Sequence, residues 1–211
     1  MKQMICLGDS LTDCERLFSP DGLGYGYVHY LDGMINEKKT WKIINRGVNG
    51  FTLGRILENL HTDCLSRRPD AVTLLAGIND VSMWMANPSI PLFYQAEKFK
   101  QKLTKLLWRL SKETSARLYL MEPFVLPWPA EYYNWFEPLA AVSQTIQELA
   151  QEYSAVFIPL HQPLNDLAQQ VGYSALTLDG IHLTPSGHRI VASRLFAYFQ
   201  NSEEPPSSQS V

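Results

Sequence analysis

At 211 residues, 45% apolar and 18% charged, the chain has the make-up of one globular domain with a substantial core. A formal net charge of −3 excludes a large basic nucleic-acid surface, and no apolar run reaches the roughly 18 residues of a membrane span. The three cysteines, Cys6, Cys14 and Cys64, are odd in number and sparse, so they read as reduced thiols, and no CxxC or HExxH spacing points to a metal.

The opening segment MKQMICLGDS holds one Lys and a few apolar residues, too little for a signal peptide, so a cytoplasmic location is expected. Residues 4–7 form a short apolar strand that stops at Gly8. Residues 25–36 read as a helix, with Tyr27, Tyr30, Leu31 and Met34 at helical spacing. Residues 41–45 are the second strand. Residues 52–64 are a helix with Leu53, Ile56, Leu57 and Leu60 on one face and Thr52 as its N-cap. Residues 71–76 are apolar on both faces, as a central parallel strand should be.

Residues 93–113 predict the longest helix, with Phe99, Leu103, Leu106, Leu107 and Leu110 as its buried stripe and its lysines in water. Residues 117–121 are the fourth strand. Residues 132–153 are mostly helical, with an interruption expected near Pro138. Residues 156–159 are the fifth strand, and a helix follows over 164–170. Pro185 suits the first position of a final helix ending near Phe199, capped by Thr184. These alternating segments predict a three-layer α/β/α sandwich around a five-stranded parallel sheet, flavodoxin-like, as one domain over residues 1–200. Residues 201–211 carry Pro, Ser and Glu without an apolar pattern and are expected to be a disordered tail.

Four short segments carry chemistry: Gly8-Asp9-Ser10-Leu11, Asn49-Gly50, Gly77-Ile78-Asn79-Asp80 and Asp179-Gly180-Ile181-His182. Ligands of an open parallel sheet bind at the carboxyl ends of its strands. Ser10 follows the first strand, Asn49-Gly50 the second and Asn79 the third, so all three should share one sheet edge. The loop holding Asp179 and His182 can reach the same edge. A serine hydroxyl needs a base to become a nucleophile. His182 is the candidate base, because imidazole titrates near neutrality, and Asp179 would orient it. The oxyanion formed on attack at an ester carbonyl would be held by the backbone N–H of Ser10, that of Gly50 and the side-chain amide of Asn79. A glycine at position 50 leaves that loop free to aim its amide.

In this order the four segments resemble the SGNH superfamily of esterases and lipases, also called the GDSL family, from Met4 to about Phe199. The resemblance implies an SGNH hydrolase fold, Ser10, Gly50 and Asn79 in the oxyanion roles, and no cofactor. It also favours Gly50 over its rival Gly47. The elbow G-x-S-x-G of α/β-hydrolases is absent, since Thr12 stands two residues after Ser10. The expected activity is hydrolysis of short acyl esters of small molecules through an acyl-enzyme. Carbohydrate deacetylases, thioesterases, lysophospholipases and acyltransferases use the same residues, and a non-catalytic ligand-binding module is the rival outside enzymes.

Other residues have plainer readings. Asp9 should brace its loop through backbone hydrogen bonds, Asp80 should cap or turn, and His188 should be a buried, hydrogen-bonded histidine. Cys14, just after the nucleophile loop, reads as a small buried hydrophobe, the alternative being a place in the pocket lining. The stretch 123–136, PFVLPWPAEYYNWF, follows the fourth strand and is rich in aromatics. Trp128 and Tyr133, with Trp84 past Asn79, are candidate substrate contacts; the alternative is that these rings pack a helix onto the sheet.

Overall fold

A computed structural model describes residues 1–36 and 40–203. Strand β1 (Lys2–Gly8) is the hinge of the sheet. It pairs in parallel with β2 (Trp41–Gly47) on one side and β3 (Ala71–Leu75) on the other. Strands β4 (Arg117–Met121) and β5 (Val156–Ile158) continue outward from β3, giving the order β2-β1-β3-β4-β5. The chain therefore leaves β1 in one direction for β2 and then crosses back to β3. That reversal is the topological switch point of a doubly wound sheet, where a crevice opens beyond the strand ends.

Strand side chains alternate between two cores. Met4, Cys6, Tyr119 and Met121 face a layer built from α2 (Tyr27–Ile35), α7 (His161–Val171), α8 (Tyr173–Leu176) and α9 (Pro185–Glu203). Ile5, Leu7, Val72, Leu74, Leu118 and Leu120 face the opposite layer, built from α3 (Leu53–Asp63), α4 (Ile78–Met85), α5 (Leu92–Glu113) and α6 (Phe136–Glu152). The α5 stripe, Phe99, Leu103, Leu106, Leu107 and Leu110, is buried as its spacing predicts. Each such side chain contributes about 1.5–3 kcal/mol by leaving water. The predicted fold class is the observed one.

Several local expectations need correcting. Pro138 does not interrupt α6; it sits in the first turn, where no intrahelical N–H bond is lost, behind a 3-10 segment over Ala130–Trp135. Thr52 precedes α3 but makes no side-chain cap. The carboxylate of Asp80 caps it instead, with Oδ2 accepting the Leu53 N–H at 2.9 Å. Thr184 does cap α9, accepting the Gly187 N–H at 3.2 Å. That helix runs to Glu203, beyond the expected end near Phe199. Residues 204–211, the rest of the expected tail, lie outside the described residues. Among the described residues no helix is long and apolar enough to cross a membrane.

Candidate active site

Strand β1 ends in a tight turn. Asp9 leads into α1 (Ser10–Asp13), and its Oδ1 accepts the Leu11 N–H at 3.0 Å. The N–H groups of Thr12 and Asp13 both return to the Asp9 carbonyl. Ser10 thus opens a turn whose following amides are already engaged. The turn is stapled to β2 by Asn45, which is buried: its Nδ2 donates to the carbonyls of Thr12 at 2.6 Å and Leu23 at 2.7 Å. Asn45 Oδ1 accepts the Gly47 N–H at 2.8 Å. A Cβ on Gly47 would meet the Asp13 nitrogen at 2.2 Å, so only glycine lets α1 approach β2 this closely.

The Gly47 amide is thereby spent, which leaves Gly50 as the candidate donor of the second segment. Gly50 lies in the turn after β2 at φ +74°. Its neighbour Asn49 is held to the nucleophile turn, its N–H donating to Asp13 Oδ2 at 3.0 Å. Asn79 opens α4 at the end of β3. Its Nδ2 donates to the Phe51 carbonyl at 3.0 Å. An amide nitrogen has two N–H bonds, so this contact fixes one and leaves the other for a ligand.

The loop before α9 brings the remaining groups across. Ser10 Oγ and His182 Nε2 are 3.1 Å apart, although 172 positions separate them in sequence. His182 Nδ1 donates to Asp179 Oδ2 at 2.7 Å. That bond places the ring proton on Nδ1 and leaves Nε2 as an acceptor facing the serine. Asp179 Oδ1 accepts the N–H groups of Ile181 at 2.9 Å and His182 at 2.7 Å. Burial pushes the Asp179 carboxyl up, but the hydrogen bonds from the His182 ring and the two amides outweigh it and hold the group below the usual carboxylate range. Gly180, at φ +94°, is pressed against the segment after β4: a Cβ there would lie 2.6 Å from both the Leu126 and Trp128 carbonyls. The Leu126 N–H donates to the Gly180 carbonyl at 2.8 Å, completing the anchor.

An open cavity of about 520 Å³ surrounds Ser10 and His182, walled by Cys14, Leu17, Phe18, Asn49 and Leu178 among others. Cys14 is only partly buried and lines the cavity with His188, Sγ to Nε2 being 3.6 Å. His188 Nδ1 accepts the Tyr27 N–H at 3.2 Å. Burial, with the neighbouring His182, lowers the His188 pKa to about 4. It is a neutral structural histidine, as its place inside the last helix suggests. Asp9 is fully buried, and burial pushes its carboxyl up to about 7 against the Leu11 hydrogen bond and the proximity of His182.

The aromatic residues divide. Phe124 is buried in the core on the α2/α9 face of the sheet, while Tyr132, Trp135 and Phe136 pack against the core on the opposite face. Trp128 and Tyr133 are exposed and line a second groove beside Asp179. Trp84 is placed elsewhere: its ring packs edge-on against Phe99 at 6.2 Å, in a small cleft with Asp80 and Lys102 that Ser10 does not line. Asn45 and Asp13 are positioning residues that motif reading passes over. For Asn45 a signal existed, since it is the one polar side chain on the inward face it shares with Trp41, Ile43 and Gly47. Among the described residues no group of three or more His, Cys, Asp or Glu could hold a metal ion.

A sheet with this switch point and these four segments at its edge defines an SGNH hydrolase. The chain matches the GDSL-like Lipase/Acylhydrolase family over residues 6–190, and it belongs to that family. It is a hydrolase acting on ester bonds. Among curated proteins it is similar to an acetylxylan esterase of Geobacillus stearothermophilus, 26% identical over 207 residues and covering 90% of each chain. The solved structure of an acetylxylan esterase from that organism superposes with a TM-score of 0.81 at 23% identity, over 93% of each chain. A protein from Parabacteroides merdae described as a GDSL-like lipase superposes with a TM-score of 0.86 at 23% identity, over 94% of this chain and 95% of that one.

Proposed function

We propose that this esterase works through an acyl-enzyme on Ser10 and removes acetyl and other short acyl groups. The observation that carries the reading is the unbroken hydrogen-bonded line from Ser10 Oγ through the His182 ring to Asp179, at 3.1 and 2.7 Å. Ser10 Oγ attacks the ester carbonyl while His182 Nε2 takes its proton. Asp179 holds the ring and stabilises the imidazolium. The oxyanion is received by the N–H groups of Ser10 and Gly50 and by the free N–H of Asn79. When the tetrahedral intermediate collapses, His182 returns the proton to the departing alcohol oxygen. Water then enters, His182 takes its proton, and the acid leaves by the same sequence reversed.

The acetylxylan esterase relative supports both the chemistry and the short acyl group. Catalytic mutants of that enzyme include replacements of a serine, of an aspartate, and of a histidine three residues after the aspartate. The spacing is that of Asp179 and His182. An organophosphonate should add once to Ser10, detected by mass spectrometry of the intact protein. Ser10→Ala should lower kcat on p-nitrophenyl acetate by about 10⁴-fold or more, and the wild-type rate should fall from acetate to octanoate. Full acetate cleavage by Ser10→Ala refutes the mechanism, and a rate that rises with chain length refutes the short-acyl preference.

A further inference from the structure

The second groove, about 570 Å³, lies across Leu178 from Ser10. Its wall is aromatic. The rings of Trp128 and Tyr173 run parallel, 9° apart in plane with centroids at 6.2 Å, and Tyr133 lines the same groove. Trp128 is 51% exposed and Tyr133 56%, so much of their ring surface is not used by the core. Leu178, 70% exposed, lines both this groove and the Ser10 cavity, which makes the two a continuous surface with one leucine as the ridge. The wall is also fixed to the chemistry, because the Trp128 carbonyl packs on Gly180, between Asp179 and His182.

The path of the proton decides which part of an ester would lie there. His182 must protonate the departing alcohol, so the alcohol leaves on the imidazole's side. The groove is flanked by the loop that carries that imidazole, with Leu178 and Asp179 in its lining. The acyl carbon, in contrast, is held over Ser10 and the oxyanion donors. Flat ring faces edged by phenol hydroxyls suit a pyranose, whose apolar C–H face stacks while its hydroxyls hydrogen-bond at the rim. An alkyl alcohol would use the faces and ignore the hydroxyls.

Building on the Ser10–His182 reading above, we infer that the groove of Trp128, Tyr133 and Tyr173 binds a sugar ring of the leaving alcohol, one unit beyond the sugar that carries the acyl group. The substrate class is then an acylated oligosaccharide. Leu178 divides the two units, and Trp128 supplies the stacking face.

The test compares kcat/KM on acetylated xylotriose with kcat/KM on ethyl acetate, both followed by acid release in a pH-stat. Trp128→Ala should lower the ratio of the first to the second by about tenfold, mainly through KM, as the loss of one aromatic stacking face implies. Trp128→Phe should recover most of it. A ratio that Trp128→Ala leaves unmoved, or a Phe variant no better than Ala, overturns the inference. Calorimetry with unacetylated xylotriose on the Ser10→Ala protein reads the groove without catalysis. Binding that weakens when Trp128→Ala is added supports the subsite, and binding that does not change sinks it. Survival of ethyl acetate hydrolysis in Ser10→Ala refutes the serine mechanism instead, so the two failures are separate results.

Discussion

Replacing Asp9 by Asn should make the protein more stable in base than in acid, relative to the parent. The carboxyl is fully buried, one oxygen accepts the Leu11 N–H, and Oδ2 is buried with no hydrogen-bond partner among the described residues. Burial raises its pKa from 3.8 to about 7. Below pH 3.8 both the folded and the unfolded chain hold the proton, and the group is neutral to folding. Between 3.8 and 7 the unfolded chain releases it while the fold retains it, so stability falls as pH rises. Above about 7 the whole penalty is in place. A shift of about three units at 1.36 kcal/mol each is about 4 kcal/mol. His188 has the opposite slope: its pKa is lowered to about 4, so it destabilises the fold as pH drops from 6.5 toward 4. The parent's own pH curve therefore blends two opposed terms, and the readout must be the difference between variant and parent. The substituted asparagine keeps an acceptor for Leu11 and cannot ionise; any fixed cost of its unpaired amide cancels across pH. Urea unfolding of both proteins at pH 4 and pH 8 should show that difference moving by about 4 kcal/mol in favour of the variant at the higher pH. A difference that stays within about 1 kcal/mol between the two conditions would mean that Asp9 ionises at little cost in the fold, and the burial reasoning fails.

Asn79→Ala should lower kcat on p-nitrophenyl acetate by about 10²–10³-fold with a smaller change in KM, since one oxyanion donor contributes about 3–4 kcal/mol in the transition state. A loss under tenfold would remove Asn79 from the oxyanion site. Gly180→Ala should destabilise the fold by about 2–4 kcal/mol and cut activity, because a methyl there meets two carbonyls at 2.6 Å and φ is +94°. Gly172, with φ +90° and nothing within 4 Å of where a methyl would stand, supplies the comparison. Gly172→Ala incurs the backbone strain alone and should melt several degrees higher than Gly180→Ala; equal melting temperatures would show that the anchor to Trp128 and Leu126 is slack.

Periodicity made the large elements legible. The stripe of α5, the bounds of β4 and Pro185 at the head of α9 all follow from spacing or from a residue with one good place. Short elements have no period to read. The four residues of α1, the eight of α4 and the four of α8 went unseen for that reason. One of these omissions misdirects a side chain. Trp84 lies five residues after Asn79, and at about 100° per helical residue that puts the two some 140° apart around the axis. Had α4 been recognised, Trp84 would have pointed toward α5, where it meets Phe99. The candidate site was readable from motifs because strand ends of a parallel sheet must share an edge. The groups that brace it were legible only in part. Asp80 was expected as a cap and caps α3, and the inward polar position of Asn45 was a signal, but the partners of Asn45 and Asp13 are backbone groups of distant segments, which no motif names.

The two halves of the site are built to different standards of rigidity. Ser10, the Gly50 loop and Asn79 rest on buried polar groups: Asp9 and Asn45 beneath the nucleophile turn, and Asp80 beneath the start of α3. A side chain lost from that set leaves an unpaired buried partner, which costs about 1–3 kcal/mol and loosens the turn or helix start it braces. The other half is shallow. The side chains of His182 and Asp179 are 48% and 50% exposed, and their loop is held mainly by its own hydrogen bonds and by Gly180 against the Trp128 segment. Substitutions along that wall can therefore change its exposed surface while leaving the buried braces of the first half in place. If the proposed subsite is right, specificity can vary at Leu178, Trp128 and Tyr133, whose side chains are exposed and hold no buried polar group among the described residues.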